Sequence, residues 1–452
     1  MKTIGKYVIC GMLGKGGMGK VFKVRLPVVE KIVALKLLAP DPLLAKLVGM
    51  EKLKALFIQE AMVMAGLDHP HIVSVYDFDY VDDRPFYVMD YLVNNIGTMI
   101  GETYRSERPS RPIPIDKTLK YTQQTLEGLS CLHNAGIVHR DIKPFNLLVT
   151  AWDSVKICDF GLSKLRGERF GGPANLNVGS PYYAAPEQEK DPNRAEAPAD
   201  LFPVGVMFYR MLTGRLPMDD NPEHPTIPAG RLNADVDEPW DHFIARAIER
   251  DPRHRFQSAA EMLAALEELK LSWRRRKELV CVLPMEKSPA AQVPPPQHLR
   301  AFPIKIPVRR AIDAFGLDGN WRPVVYFAER FEPGEAKTVI DRSCGLCWQR
   351  SGSPLPLTYL QAKEYIERLN HDKFLGRGDW RLPTVVELAT LLRPPPRAEE
   401  LCLALLFDPT QRRLWSADRS AFTAAYYVDV ELGFVGHQDS SAANYVRAVC
   451  SI

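Results

Sequence analysis

The chain has 452 residues, of which 46% are apolar and 25% charged; that is the composition of a folded globular protein and excludes a mostly disordered one. Its 58 Lys and Arg against 55 Asp and Glu leave a net charge of +3, which gives no reason to expect nucleic acid or an anionic membrane as partner. Eight cysteines in such a length do not make a disulfide scaffold.

At roughly 100–200 residues per domain, two to four domains are expected. The longest apolar runs, such as Val204–Tyr209, fall far below the ~18 residues of a membrane span. The opening Met1–Lys6 carries no apolar signal core, so a soluble, cytoplasmic protein without a membrane span is expected.

In chain order, residues 7–90 alternate strand-like runs at Val21–Leu26, Lys31–Leu38, Ile72–Asp77 and Phe86–Met89 around one helical stretch, Leu53–Ala65. Residues 116–272 read as mainly helical. Thr118 is placed to cap a helix whose face carries Leu119, Leu126, Leu129 and Leu132. A later helix, from Ala259 through Leu269, runs into the basic Arg274–Lys277, read as a solvated helix end. Seven prolines between Pro284 and Pro307 then mark a semi-rigid spacer in polyproline geometry. No internal repeat is visible.

The chemistry gathers in the first 270 residues. Gly14-Lys15-Gly16-Gly17-Met18-Gly19 precedes Val21 and a strand rather than a helix. Those glycines are therefore expected at a hairpin tip, where backbone amides can approach phosphate oxygens. A dinucleotide fingerprint would open a helix, and a Walker loop would need Gly-Lys-Ser/Thr. Val33-Ala34-Leu35-Lys36 is an apolar strand carrying one lysine, a point charge suited to triphosphate oxygens, and the helix around Phe57–Ala61 offers Glu60 to hold it.

His139-Arg140-Asp141-Ile142-Lys143-Pro144-Phe145-Asn146 and Lys156-Ile157-Cys158-Asp159-Phe160-Gly161 form the densest cluster. Asp141 can accept a proton from an incoming hydroxyl, Lys143 can steady a γ-phosphate, and Asn146 and Asp159 can hold Mg²⁺, or Mn²⁺ in its place, through oxygen. Gly179–Glu187 follows, ending in Ala185-Pro186-Glu187.

On these motifs residues 1 to about 272 resemble the bacterial eukaryotic-like (Hanks-type) serine/threonine protein kinases. The resemblance extends to Leu67–Val73, to Asp200 and Gly205, and to Asp251-Pro252-Arg253-His254-Arg255-Phe256. It implies a two-lobed fold, with an N-lobe over 1–90 and a C-lobe over 91–272, and the use of ATP and Mg²⁺ on protein substrates bearing Ser or Thr. Leu13, Gly14, Gly16, Gly19, Val21, Ala34, Lys36, Met89, Asp90 and Leu92 would line the nucleotide site, with Met89 as gatekeeper and Asp90 to Leu92 as hinge. The residue matching Arg255 would pair with Glu187, and the one matching Asp200 would brace the catalytic loop. Lys143 and the Ser180-Pro181 segment match the serine/threonine branch.

Two departures stand out. Pro203 replaces the serine usual two residues before Gly205, and is expected to perturb the start of that helix. Lys164 to Gly179 contains no Ser, Thr or Tyr, although Arg140 marks a kinase whose loop is normally ordered by a phosphate. The loop is therefore expected not to be switched by phosphorylation, with Glu168 as a fixed anion for Arg140 or with control from the second domain. An activating phosphate mapped to Ser163 or Ser180 would overturn this. A pseudokinase scaffold is the alternative from the binding-protein class.

From about residue 312 strands are expected at Val324–Phe327, Lys337–Ile340, Tyr426–Val430 and Tyr445–Val449. Two helices, Tyr359–Leu369 and Val385–Leu392, open on capping boxes at Thr358/Gln361 and Thr384/Glu387. Cys344-Gly345-Leu346-Cys347 has half of a zinc spacing and reads as two thiols; Trp348, Trp380 and Trp415 read as core. Together, the segments around Leu346–Gln349, Asp379–Leu388, Leu414–Ala417 and Tyr445–Val449 resemble a bacterial C-type-lectin-like domain of the branch related to the formylglycine-generating (sulfatase-modifying) fold. That implies a ligand- or partner-binding module, and such scaffolds are also diversified by retroelements, for which the polar positions near Gln438–Tyr445 would suit. The expected whole is an α+β chain: a protein kinase domain over 1–272, a Pro-rich linker over 273–311 and a C-type-lectin-like α+β domain over 312–452.

Overall fold

The computed structural model describes residues 2–102, 108–159, 182–190, 196–217, 226–280, 299–327, 331–335, 337–394, 402–404 and 406–452. Ser163, Glu168, the Ser180-Pro181 segment and most of the proline stretch lie outside the described residues. The chain divides into two compact units: Met1–Pro112 with Lys117–Glu278, and Leu279–Ile452 with the short segment Ile113–Asp116. Among the described residues no helix is long and apolar enough to cross a membrane.

The first unit opens with a six-stranded antiparallel sheet: β1 (Thr3–Ile4), β2 (Tyr7–Lys15), β3 (Gly19–Arg25), β4 (Ile32–Leu38), β5 (Val75–Val81) and β6 (Arg84–Met89), in the order β1-β2-β3-β4-β6-β5. Side chains alternate across a strand. Val33, Leu35 and Leu37 of β4 therefore join Tyr7, Val24, Phe86 and Val88 in a buried cluster on one face. Ala34 and Lys36 point to the other face, where the register sets Val21 opposite Lys36, Tyr87 opposite Lys36 and Met89 opposite Ala34. The helix Met50–Ala65 lies against β5 and β6, burying Leu53, Phe57, Glu60, Ala61 and Met64 along one stripe.

That helix starts three residues before the expected Leu53, because Gly49 (φ +86°) breaks the chain between it and a short helix, Pro42–Val48. The earlier helix was not expected from periodicity. It begins on Asp41, whose carboxylate accepts from the Leu43 amide at 3.0 Å, with Pro42 at its first turn. The strand expected at Ile72–Asp77 is shifted to Val75–Val81. A turn closed by the Ile72 amide on the His69 carbonyl (3.1 Å) diverts Ile72 into a parallel bridge with Ile157.

Beyond the sheet the first unit is helical, with Ile115–Asn134, Ala197–Thr213, Glu238–Ala247 and Ala259–Val280, and a small sheet of β7 (Asn94–Asn95), β8 (Leu147–Val149) and β9 (Val155–Ile157). Thr118 is not a cap: the helix begins at Ile115, and Thr118 is fully buried within it. Ala197–Thr213 is buried from Pro198 to Leu212. Pro203 sits in its middle rather than at its start, so the helix runs through it with one donor missing toward the Ala199 carbonyl. Gly205 is required by packing, since a Cβ there would lie 2.5 Å from the Ala247 side chain. Arg274–Lys277 falls in the last two turns of the helix, with Arg274 and Arg275 exposed and Lys277 in the final turn. The helix continues to Val280, past the boundary expected at 272, and Arg276 is tied to the Asp235 carbonyl (2.8 Å) and to the Asp237 carboxylate.

The second unit is built mainly of strands. One antiparallel sheet has the order β10 (Phe331–Pro333), β11 (Thr338–Asp341), β12 (Leu346–Gln349), β16 (Val449–Ser451); the other runs β13 (Arg413–Ala421), β14 (Ala424–Asp429), β15 (Phe434–Asp439). The helices Tyr359–His371 and Val385–Ala389 both open on complete capping boxes, at Thr358/Gln361 and Thr384/Glu387. Trp348, Trp380 and Trp415 are all buried. Val324–Phe327 is not a strand. A turn closing from Asp318 to Arg322, with the Val324 amide returned to the Gly316 carbonyl, leaves Val324 exposed. Tyr445–Val449 divides its bonding: Tyr445 bridges Leu414 of β13, and Val449–Ser451 pairs with β12, so this segment stitches the two sheets together. Cys347 of β12 stands opposite Cys450 of β16, while Cys344 is half-buried. Asp418, fully buried, takes both guanidinium arms of Arg300 at 2.8 Å and the Ile304 and Val385 amides at the same distance.

Candidate active site

The glycine-rich segment is the turn from β2 into β3, closed by the Gly16 amide on the Gly19 carbonyl at 2.9 Å. Its glycines are not equivalent. A Cβ on Gly14 would meet nothing within 4 Å, whereas one on Gly19 would sit 2.5 Å from the Leu37 carbonyl of β4. Gly14 thus leaves open space, and Gly19 lets two strands pair. Leu13, at the same turn, is 45% exposed. Below the turn, Val21, Ala34, Lys36 and Met89 share one face of the sheet through the register already described.

On that face Lys36 Nζ donates to Glu60 Oε1 at 2.9 Å and to Asp159 Oδ1 at 3.0 Å. One ammonium thus joins a strand, a helix and the loop after β9. Burial works against the Lys36 charge, but Asp159 and Glu60 outweigh it and hold its pKa well above the ordinary lysine value. Lys36 in turn pulls the Asp159 carboxyl below the usual carboxylate range, while burial pushes Glu60 upward against the same lysine. Tyr87, absent from the expected site, donates its hydroxyl to Glu60 Oε1 at 3.1 Å. No sequence motif marks it.

The second half of the site is the loop between Ile137 and Asn146. Lys143 Nζ lies 3.1 and 2.9 Å from the two Asp141 oxygens, and Asn146 Nδ2 donates to the Asp141 carbonyl (2.8 Å) and to Oδ2 (3.0 Å). That orientation commits the Asn146 amide nitrogen to the loop and leaves its oxygen as a hard donor. Arg140 has φ +67°, a conformation that costs a non-glycine residue energy. Asp200 fixes it: the buried carboxylate accepts from the His139 amide at 2.7 Å, the Arg140 amide at 2.6 Å and His133 Nε2 at 2.9 Å.

His139 joins the two loops. Its Nδ1 accepts from the Asp141 amide at 3.2 Å, and its Nε2 faces the Cys158 carbonyl at 3.1 Å, which sets Nε2 as the protonated nitrogen of a neutral ring. Full burial lowers its pKa, in keeping with that neutral form. The loop bearing Asp141 and the loop bearing Asp159 are thereby held at a fixed spacing.

One further expected contact is present in the geometry. Arg255 pairs with Glu187 through both guanidinium arms, at 2.6 and 2.8 Å, and is 1% exposed. Gln188 adds one the sequence did not suggest, donating Nε2 to the Arg140 carbonyl at 3.0 Å. At the expected hinge, Asp90 accepts from the Ser74 amide (3.2 Å), from the Tyr76 hydroxyl and from Lys156 Nζ (2.8 Å). Its side chain thus binds the start of β5 and β9, and Leu92 follows half-buried.

Residues 337–450 match the Lcl C-terminal domain family. The first part of the chain is similar to the serine/threonine-protein kinase pkn3 of Myxococcus xanthus, at 31% identity over 61% of this chain and 52% of that protein. It is likewise similar to the serine/threonine-protein kinase PksC of Streptomyces coelicolor, at 34% over 57% of this chain and 48% of that one. A third relative is PrkC of Bacillus subtilis, at 30% over 58% and 40%. The chain thus spans about half or less of the length of these curated relatives. Residues 7–266 match the protein kinase domain, and because that stretch is more than half of the chain and contains every side chain of the site just described, the chain belongs to the protein kinase family.

Proposed function

We propose that the chain transfers the γ-phosphate of ATP to serine or threonine hydroxyls of protein substrates. The observation that carries this is the convergence of Lys36, Glu60 and Asp159 on one ammonium, beside an aspartate-lysine-asparagine loop held at fixed spacing by His139. Val21, Ala34 and Met89 would receive the base of the nucleotide, with the backbone from Asp90 to Leu92 along its edge. Open space at Gly14 and the Gly16 turn would admit the phosphates, and Lys36 would neutralise them.

The oxygen donors of Asn146 and Asp159 fit Mg²⁺, or Mn²⁺ in its place, which prefer hard ligands and keep several waters. When bound, such an ion neutralises charge on the phosphates. Asp141 orients the acceptor hydroxyl and takes its proton, and Lys143, beside it, steadies the transferred group. Proton acceptors of this kind contribute on the order of 10²–10⁴ in rate. Asp141→Asn should therefore lose phosphoryl transfer by about that factor with ATP binding retained, as measured by radiolabel transfer to a generic basic protein. Transfer at the parent rate would remove Asp141 from this role.

The remaining assignments rest on the same reading. Residues 1–280 would be the kinase domain with lobes meeting near residue 90, and the second unit, which already takes in Arg300 and Ile304 through Asp418, would be a C-type-lectin-like module that binds a ligand or protein partner.

A further inference from the structure

We propose that Tyr87 is a positioning residue of the phosphoryl-transfer site, holding the Glu60 carboxylate in the orientation that receives Lys36. This deepens the kinase reading and rests on it.

The argument begins with register. Tyr87 lies directly opposite Lys36 on neighbouring strands, so the two side chains rise side by side from the same face of the sheet. The lysine nitrogen is 5.7 Å from the tyrosine ring centroid. Both reach the same atom: Glu60 Oε1 receives Lys36 Nζ at 2.9 Å and the Tyr87 hydroxyl at 3.1 Å. The ring also packs on Phe57, one helical turn before Glu60, with centroids 5.2 Å apart. The helix is thus gripped twice by one side chain, through an apolar contact and through a polar one.

Its environment makes the polar contact consequential. Tyr87 is fully buried and Glu60 is 5% exposed, so little water competes for the carboxylate. The second oxygen, Oε2, has no hydrogen-bond partner among the described residues. Without the hydroxyl, the buried carboxylate would keep one hydrogen-bond donor among the described residues, Lys36. Burial already pushes the Glu60 pKa upward, and the hydrogen bonds from Lys36 and Tyr87 oppose that push. Losing one of them favours a neutral carboxyl, or one rotated away from the lysine. The sequence supplies a reason for a built-in brace of this kind: Lys164 to Gly179 offers no hydroxyl to a phosphate, so the pair must be ordered without one.

Tyr87→Phe in the full chain separates the hydroxyl from the ring. With Mg-ATP and a generic basic protein as acceptor, kcat should fall about tenfold, the KM for ATP should change less than threefold, and the melting temperature should stay close to that of the parent. In a Glu60→Gln background the same substitution should cost less than twofold, because the group that Tyr87 acts through has been altered. Parent-like kcat in Tyr87→Phe, or an equal loss in both backgrounds, would overturn the proposal. A nucleotide-free crystal structure of Tyr87→Phe gives a readout independent of turnover. The Glu60 carboxylate should have left Lys36, and finding it still within hydrogen-bond distance would overturn the proposal even if no phosphate is transferred by any form. Absence of transfer by the parent protein would instead sink the kinase reading.

Discussion

At the scale of single residues, Lys36 and Asp159 each favour the other's charge against burial. Asp153 shows the same physics away from the chemistry. It accepts from Lys117 (2.9 Å), Lys120 (3.0 Å) and the Tyr121 hydroxyl (2.5 Å) while 7% exposed. Burial opposes its charge, but Lys117, Tyr121 and Lys120 outweigh that opposition and hold its pKa far below the usual carboxylate range. A carboxyl depressed in the folded state contributes stability that is present above its unfolded pKa, near 3.9, and is lost as pH falls through the folded value. Asp153→Asn should therefore cost about 3 kcal/mol near neutral pH, through the lost ion pairs with Lys117 and Lys120. The gap between parent and variant should narrow as pH is lowered from about 5, as denaturant titrations at several pH values would reveal. Asp200→Ala should be as severe: it would leave two backbone amides and a histidine without their acceptor beneath a strained Arg140, and activity should disappear with stability.

Legibility at this scale followed chemistry. Lys36, Glu60, Asp141, Asn146 and Asp159 stood out in the sequence because the proposed phosphoryl transfer demands those residue types in short strings, and they fall into two clusters, Lys36 with Glu60 and Asp159, and Asp141 with Asn146. Tyr87 could not, since a tyrosine in an apolar strand reads as core until the strand register sets its hydroxyl beside a carboxylate. His139 was visible as a letter in a motif, yet its bridging of two loops depends on Cys158 returning to within 3.1 Å. Asp90 was read as the start of the hinge, and its side chain's partners Tyr76 and Lys156 could not be read from the chain.

Among the elements, the antiparallel sheet of the first unit decides what each side chain can reach. The glycine turn gives a direct test. Gly19→Ala would force a Cβ against the Leu37 carbonyl and should destabilise the protein by roughly 1–3 kcal/mol, whereas Gly14→Ala, facing open space, should leave the melting temperature nearly unchanged. Thermal melts of the two variants distinguish a packing glycine from one left clear for a ligand. Helix boundaries were legible where a cap is written locally, as at Thr358 and Thr384. They were misread where the signal was a neighbour's shape: Thr118 resembles a cap but lies inside a helix, and Gly49 ends one helix and begins another. Strands were misplaced where turns consumed apolar residues, at Ile72 and at Val324.

For the molecule as a whole, every group assigned to catalysis belongs to the first unit, and the second has its own core around Trp348, Leu388, Leu414 and Val428. A protein comprising residues 1–280 should therefore retain phosphoryl transfer, with any difference from the full chain measuring control by the second unit. Radiolabel transfer by the two forms under identical conditions gives the comparison, and complete loss in the shorter form would show that catalysis needs more than the first unit.

The segment from Tyr445 to Ser451 carries a further consequence. It contacts β13 about thirty residues earlier and β12 about a hundred residues earlier, so both partners must wait for it. Connections of such separation close slowly. During synthesis the hairpins of the second unit would emerge with a free edge on each sheet, open to mispairing until residue 451 has left the ribosome, and this interval is when a chaperone would be most needed.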